Sequence, residues 1–360
     1  MSVSLLSSVS KGWLYEEGGL SFGQPYYMQP LYRQDQDIKI DQFLRERFPE
    51  YAFYNMESNL AQPDFWRADF VYVGGIQPNL ILGVCLGAQM AWYEDKDIDF
   101  VEANPLGDVA SIEELPDPTD VLAHPFVQHF ERQILELQET RPELTIIPPF
   151  FWDLSGRATI HGFITSSMKF YGERIFIKAF EDPDFVWGLH EWIADVSIVL
   201  MRHFSALANI PITSVHIGEC AGTMISGRHY EQFVVPYLNK IAEAVGPIRL
   251  HSCGHSDHLL TAIAKINKLQ VLDTGSNTSI AAVRDQLGHD LQIDLAPPLE
   301  VLRQGAGEEM MLEWLDRTLL ENNDGPLKLG YHLEPGYSMQ NCLALHDELD
   351  RRGLIRKGRP

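Results

Sequence analysis

From about residue 125 to the C-terminus, short runs in which apolar and polar residues alternate are separated by longer segments whose apolar residues recur at three and four positions. The first pattern predicts strands at 144–147, 213–217, 248–251, 269–272, 291–295 and 327–332. The second predicts helices at 125–139, 182–208, 226–245, 257–266, 279–287, 308–321 and 341–349. Pro183 suits the first turn of its helix, whereas Pro236 requires a kink or break in the next. Earlier in the chain the pattern is weaker. Residues 1–20 show little periodicity beyond Trp13-Leu14-Tyr15 and read as an arm lying over the domain. Residues 24–30 read as a short aromatic strand, 38–47 as a helix, and 70–73 as a strand ending at Gly74-Gly75. Residues 80–86 are a further strand candidate, and 104–118 a loop with one helical turn.

Strand and helix therefore alternate at intervals short enough for parallel crossover units. About six or seven such units are visible, and the N-terminal strands can bring them to eight. That predicts an α/β protein, a closed (β/α)8 TIM barrel with an N-terminal extension. An open doubly wound sheet is disfavoured because no GxGxxG follows an early strand. The expected division is an arm and helical segment at 1–64 packed on a barrel at 65–360.

Composition narrows the partners. In 360 residues, 28 Lys and Arg face 50 Asp and Glu, a formal charge of -22 that repels nucleic acid and anionic membrane. A polyanionic substrate would need the few basic residues to converge on one cleft. Cys85, Cys220, Cys253 and Cys342 form no CxxC pair, which fits a reducing compartment. No signal-peptide pattern opens the chain and no apolar run approaches about 18 residues, so a cytoplasmic protein is expected.

In a barrel the C-terminal strand ends carry chemistry. The most informative is Ile248-Arg249-Leu250-His251-Ser252-Cys253-Gly254-His255, where an alternating strand passes into a polar loop. His251 and Cys253 are two apart, so on an extended backbone both side chains point the same way and can share one metal ion. Nitrogen and sulfur donors favour zinc over magnesium or calcium. The similar stretch Thr213 to Cys220 offers a third ligand, Glu219 through oxygen or Cys220 through sulfur. Three protein ligands leave a fourth position open, as catalysis requires. The competing structural reading makes Cys253 a small buried hydrophobe and His251 a loop brace. Tyr26, Tyr27, Met28, Phe150, Phe151, Trp152, Met224, Tyr331 and Tyr337 could line a pocket for a flat apolar ligand or simply fill the core. Arg33, Arg157, Arg228 and Arg249 are the basic residues placed to answer a carboxylate.

Met224-Ile225-Ser226, Phe233-Val234-Val235-Pro236-Tyr237-Leu238, LHSCG at 250–254 and Leu333-Glu334-Pro335-Gly336 together resemble the uroporphyrinogen decarboxylase superfamily of (β/α)8 barrels, over residues 65–350. Its decarboxylase branch grips a tetrapyrrole's carboxylates with an RQAGR-type motif. The nearest match here, Gln29 to Gln34, keeps Arg33 alone. A second branch comprises zinc-dependent methyltransferases that work with corrinoid proteins, and its HxCG histidine and cysteine match His251 and Cys253. That branch commonly takes a third cysteine just after a Pro-Gly pair, but Tyr337 follows Pro335-Gly336, leaving Glu219 or Cys220, with Cys342 as an outside candidate. The resemblance implies an enzyme moving a methyl group between a small methylated substrate, such as a methoxylated aromatic, and a corrinoid carried by a separate protein, since the chain has no DxHxxG motif. It also implies a homodimer. In this reading His251, Cys253 and Glu219 hold Zn2+, Tyr337 donates to the leaving oxygen, and Asp294 and Arg157 orient the substrate. The alternatives are a tetrapyrrole decarboxylase or a metal-free barrel that binds a partner.

Overall fold

The computed structural model of the protein describes residues 3–55, 69–102, 104–109 and 111–358. Eight strands form one curled sheet of the (β/α)8 TIM-barrel type: β1 (Val3–Val9), β2 (Phe53–Asn55), β3 (Arg157–His161), β4 (Ser214–Gly218), β5 (Ile248–Ser252), β6 (Leu269–Thr274), β7 (Gln292–Leu295) and β8 (Leu327–Leu333). Every ladder is parallel, and the order around the sheet is β2-β1-β8-β7-β6-β5-β4-β3. From β3 to β8, neighbours in sequence are neighbours in space, as short crossovers dictate. A separate parallel pair, Phe70–Tyr72 with Thr145–Ile147, precedes β3. The chain leaving that pair meets β3 where Thr159 N donates to Phe150 O at 2.7 Å.

The N-terminus differs from the expected arm. Residues Val3 to Val9 pair with Leu327 to Leu333 over the whole length of both strands, so β1 joins the last strand of the chain and is integral to the sheet. Its Ser7-Ser8 centre hid it: two buried hydroxyls stand where a half-buried strand would carry apolar side chains, and each is satisfied by a histidine, Ser7 by His346 and Ser8 by His332. The expected strands at 24–30 and 80–86 are the helices Gln24–Met28 and Pro78–Cys85, each started by a proline near its first turn. The expected boundary at 64/65 lies outside the described residues.

Alternation along the strands now has a physical meaning. In β5, Ile248 and Leu250 are fully buried while Arg249 and His251 line cavities of the lumen. In β8, Leu327, Leu329 and Leu333 are buried while Lys328, Gly330 and His332 line a lumen cavity. The apolar core is the layer between sheet and helices, and the lumen is polar. The long helix Pro183–Ala208 shows how the outer layer is built. Asp182 caps it by accepting from Phe185 N, Asn209 ends it at a φ of 54°, and its buried Leu189, Ile193, Val196, Leu200 and Phe204 recur at four and three. Each such fully buried side chain contributes about 1.5–3 kcal/mol. The expected break near Pro236 separates the helices Gly227–Phe233 and Val235–Ala244. Among the described residues, no helix is long and apolar enough to cross a membrane.

Candidate metal centre

β4 and β5 lie side by side, with Gly218 in register with His251, and the amide of Glu219 donates to the carbonyl of His251 at 2.8 Å. At the C-terminal ends of these two strands, the side chains of Cys220, His251 and Cys253 converge, each offering a ligand atom within 4.8 Å of the others. Cys253 is exposed, and Cys220 and His251 are half-buried. His251 Nδ1 lies 2.9 Å from the Asp273 carboxylate, which leaves Nε2 for the sulfur side and orients the ring. Burial alone would favour the neutral imidazole, but Asp273 and the Cys253 sulfur outweigh it and raise the His251 pKa to about 10. The hydrogen bonds from Cys220 and His251 bring the Cys253 thiol down to about 4, while the bond to Cys253 and burial push Cys220 up.

Glu219 is not part of this cluster. The strand ends at Gly218 and the chain enters a tight turn over Cys220–Met224, so residues 219 and 220 point apart. The fully buried Glu219 carboxylate accepts from Thr165 N at 2.9 Å, Thr165 Oγ1 at 3.1 Å and Ile164 N at 3.3 Å, at the start of the helix Phe163–Tyr171. Burial lifts its pKa to about 7 against the pull of those donors. Thr165 Oγ1 also accepts from Ala221 N at 3.1 Å, so Glu219 and Thr165 brace the turn that presents Cys220. Gly162 makes room for this arrangement, since a Cβ there would sit 2.2 Å from Glu219 Oε2. Cys342 is buried in the helix Met339–Arg351, away from the cluster.

A cavity of about 490 Å³ opens at this end of the barrel beside His251 and Cys253 and reaches Tyr337 on the loop after β8. Burial raises the Tyr337 pKa to about 12. Of the aromatic residues considered for the pocket, only Tyr331 and Tyr337 line it. Tyr26, Tyr27, Phe150 and Phe151 are core residues, and Trp152 packs its ring 4.7 Å from that of the buried His216. Asp294 stands at the cavity floor, 2.9 Å from Arg249 and 2.7 Å from Lys328, and Arg249 also reaches Asp273 at 2.7 Å. Arg157 is not at the mouth. It is the first residue of β3, lines a cavity of about 310 Å³ at the opposite end of the barrel, and lies 3.2 Å from Asp153. The arginine expected to orient the substrate thus lies at the far end of the barrel from Cys220, His251 and Cys253.

Residues 80–310 match the family described as Uroporphyrinogen decarboxylase (URO-D). The chain belongs to the URO-D family. A methyltransferase from Methanosarcina mazei has a similar structure, with a TM-score of 0.59 and 15% identity over 97% of this chain and 94% of that one. A B12-independent methionine synthase from Shewanella sp. W3-18-1 aligns at a TM-score of 0.39 and 12% identity, over 62% of this chain and 67% of that one. No curated protein sequence matches this URO-D member. Its Arg33, the residue left of the carboxylate-gripping motif, is buried. The guanidinium lies 3.4 Å from Asp37 and 4.1 Å from the centre of the Tyr72 ring, and Asp37 also accepts from Tyr26 and Asn55.

Proposed function

We propose that this URO-D member is a zinc-dependent methyltransferase moving a methyl group between a small methylated substrate and a corrinoid carried by a separate protein. The observation that carries the reading is the convergence of two cysteine sulfurs and one histidine nitrogen beside a cavity at the C-terminal mouth of the barrel. The donor set fits zinc: soft and borderline ligands, three in number, with a carboxylate fixing the histidine from behind. Cys220, His251 and Cys253 would hold the ion, with Cys220 in the place first given to Glu219. Zinc supplies Lewis acidity to a departing alkoxide or phenolate, or keeps an acceptor thiol ionised.

The chain's own residues do the rest. Asp273, anchored by Arg249, holds the imidazole of His251 in one orientation. Glu219 and Thr165 fix the turn of Cys220. Tyr337, kept protonated by burial, lines the cavity and would hydrogen-bond the bound substrate. The tetrapyrrole decarboxylase reading receives less support, since Arg33 is committed to Asp37 and both cations lining the mouth cavity are paired with carboxylates. Metal analysis tests the proposal: about one zinc per chain is expected, lost in His251→Ala and Cys253→Ala. Methyl transfer is then followed by the cobalt absorbance of an added corrinoid protein. Purified protein that neither holds nor takes up zinc refutes the proposal.

A further inference from the structure

We infer that the small molecule bound beside the Cys220–His251–Cys253 cluster carries a positively charged ammonium group, received by Glu334 and Glu300 at the far wall of the same cavity. The inference rests on reading that cluster as a metal centre. It follows from the distribution of charge around the cavity. The arginine and lysine that line it are Arg249 and Lys328, and its two lining histidines are engaged, His251 by Asp273 and His332 by Ser8. Arg249 is spent on Asp273 and Asp294, and Lys328 on Asp294, all at the floor. Two further lining carboxylates, Glu300 and Glu334, have no cationic partner among the described residues. Glu300 is exposed at the rim. Glu334 is half-buried, and the groups acting on it are the Ser10 hydroxyl and a second carboxylate, Asp97, which is itself paired with Lys11. Arg303 comes near Tyr337 but is exposed and outside the cavity wall.

Geometry places these carboxylates where the non-reacting end of a substrate would lie. His251 is on β5 and Glu334 follows β8, three strands further round the sheet, so a molecule with its heteroatom at the cluster spans the cavity towards Glu334. Tyr337 adds a phenol ring beside Glu334, and an aromatic face attracts a cation. A sulfonate, phosphate or carboxylate in the same place would meet two negative groups and no free positive one among the described lining residues. The chain's formal charge of -22 works in the same direction at longer range. A methyl ether, methyl thioether or acceptor thiol bearing an ammonium group satisfies both ends of the cavity.

The test uses the full-length protein loaded with Co(II) in place of zinc, with the sulfur-to-cobalt absorption band as readout. Three thiols of similar size that differ in charge are titrated: 2-mercaptoethylamine, 2-mercaptoethanol and 2-mercaptoethanesulfonate. The expected order of affinity is amine, alcohol, sulfonate, with about tenfold or more between the extremes at low salt and less at high salt. The double variant Glu300→Gln, Glu334→Gln should load cobalt normally and lose the preference, which also controls for the different acidities of the thiols. An inverted order, or a preference that survives the double variant, overturns the inference while the metal reading stands. Failure to load cobalt overturns both.

Discussion

The assignment of the third metal ligand separates two adjacent residues, and substitution can tell them apart. Cys220 is within 4.8 Å of the other two donors, whereas the neighbouring Glu219 carboxylate accepts three hydrogen bonds from Ile164 and Thr165. Asp273 provides the internal scale. It supports His251 from behind, and losing such a partner lowers zinc affinity about 10–100-fold, or about 1.4–2.7 kcal/mol. Asp273→Asn should fall in that range. Cys220→Ser removes a direct ligand and should lose more than about 100-fold, while Glu219→Gln should leave zinc affinity within about threefold of the parent. Glu219→Gln should instead act on the fold, weakening charge-assisted bonds to a helix start at a cost of about 1–2 kcal/mol, or roughly 1–3 °C in Tm for a chain of this size. Zinc affinity is read by competition with a chromophoric chelator, bound metal by elemental analysis, and Tm by circular dichroism. If Glu219→Gln empties the site and Cys220→Ser keeps it loaded, the geometric assignment is wrong.

Gly275→Ala would place a Cβ 2.1 Å from the Cys253 carbonyl oxygen, so the Cys253 loop must shift; reduced zinc affinity with retained secondary structure is expected, and unchanged affinity refutes it. His346 is buried between Ser7 and Tyr331, and burial holds its pKa at about 4, below the ordinary 6.5. Its folded form therefore stays neutral while the unfolded form binds a proton. Its contribution is complete above about pH 6.5 and is lost as the pH falls towards 4, by up to about 3 kcal/mol. His190, also buried and also at about 4, adds to the same loss. Urea unfolding at pH 7 and pH 5 measures the drop, and His346→Gln should make it smaller. Arg33→Met leaves Asp37 buried without its guanidinium, for an expected loss of about 3 kcal/mol or more in the same assay; a change below about 1 kcal/mol would show that Tyr26 and Asn55 suffice.

Several features were legible in the linear sequence. The alternating runs from residue 144 onward located β4 to β8 closely, because each carries apolar residues on its helix-facing side. His251 and Cys253 could be paired from their spacing alone, and the family follows from motifs concentrated in the same half of the chain. Other features were decided only by tertiary contacts. β1 was invisible because its pairing partner, β8, lies more than three hundred residues away and its central serines are satisfied by histidines from that distant region. Which of residues 219 and 220 meets His251 and Cys253 depended on where the chain turns after Gly218, which adjacent residue types do not encode. The same holds for Arg157. Spacing could mark it as a basic residue near a strand, but which end of the barrel it occupies depends on strand direction and register, and these put it at the far end from Cys220, His251 and Cys253. Local periodicity determines which faces are apolar; the closing of the sheet determines which polar residues meet.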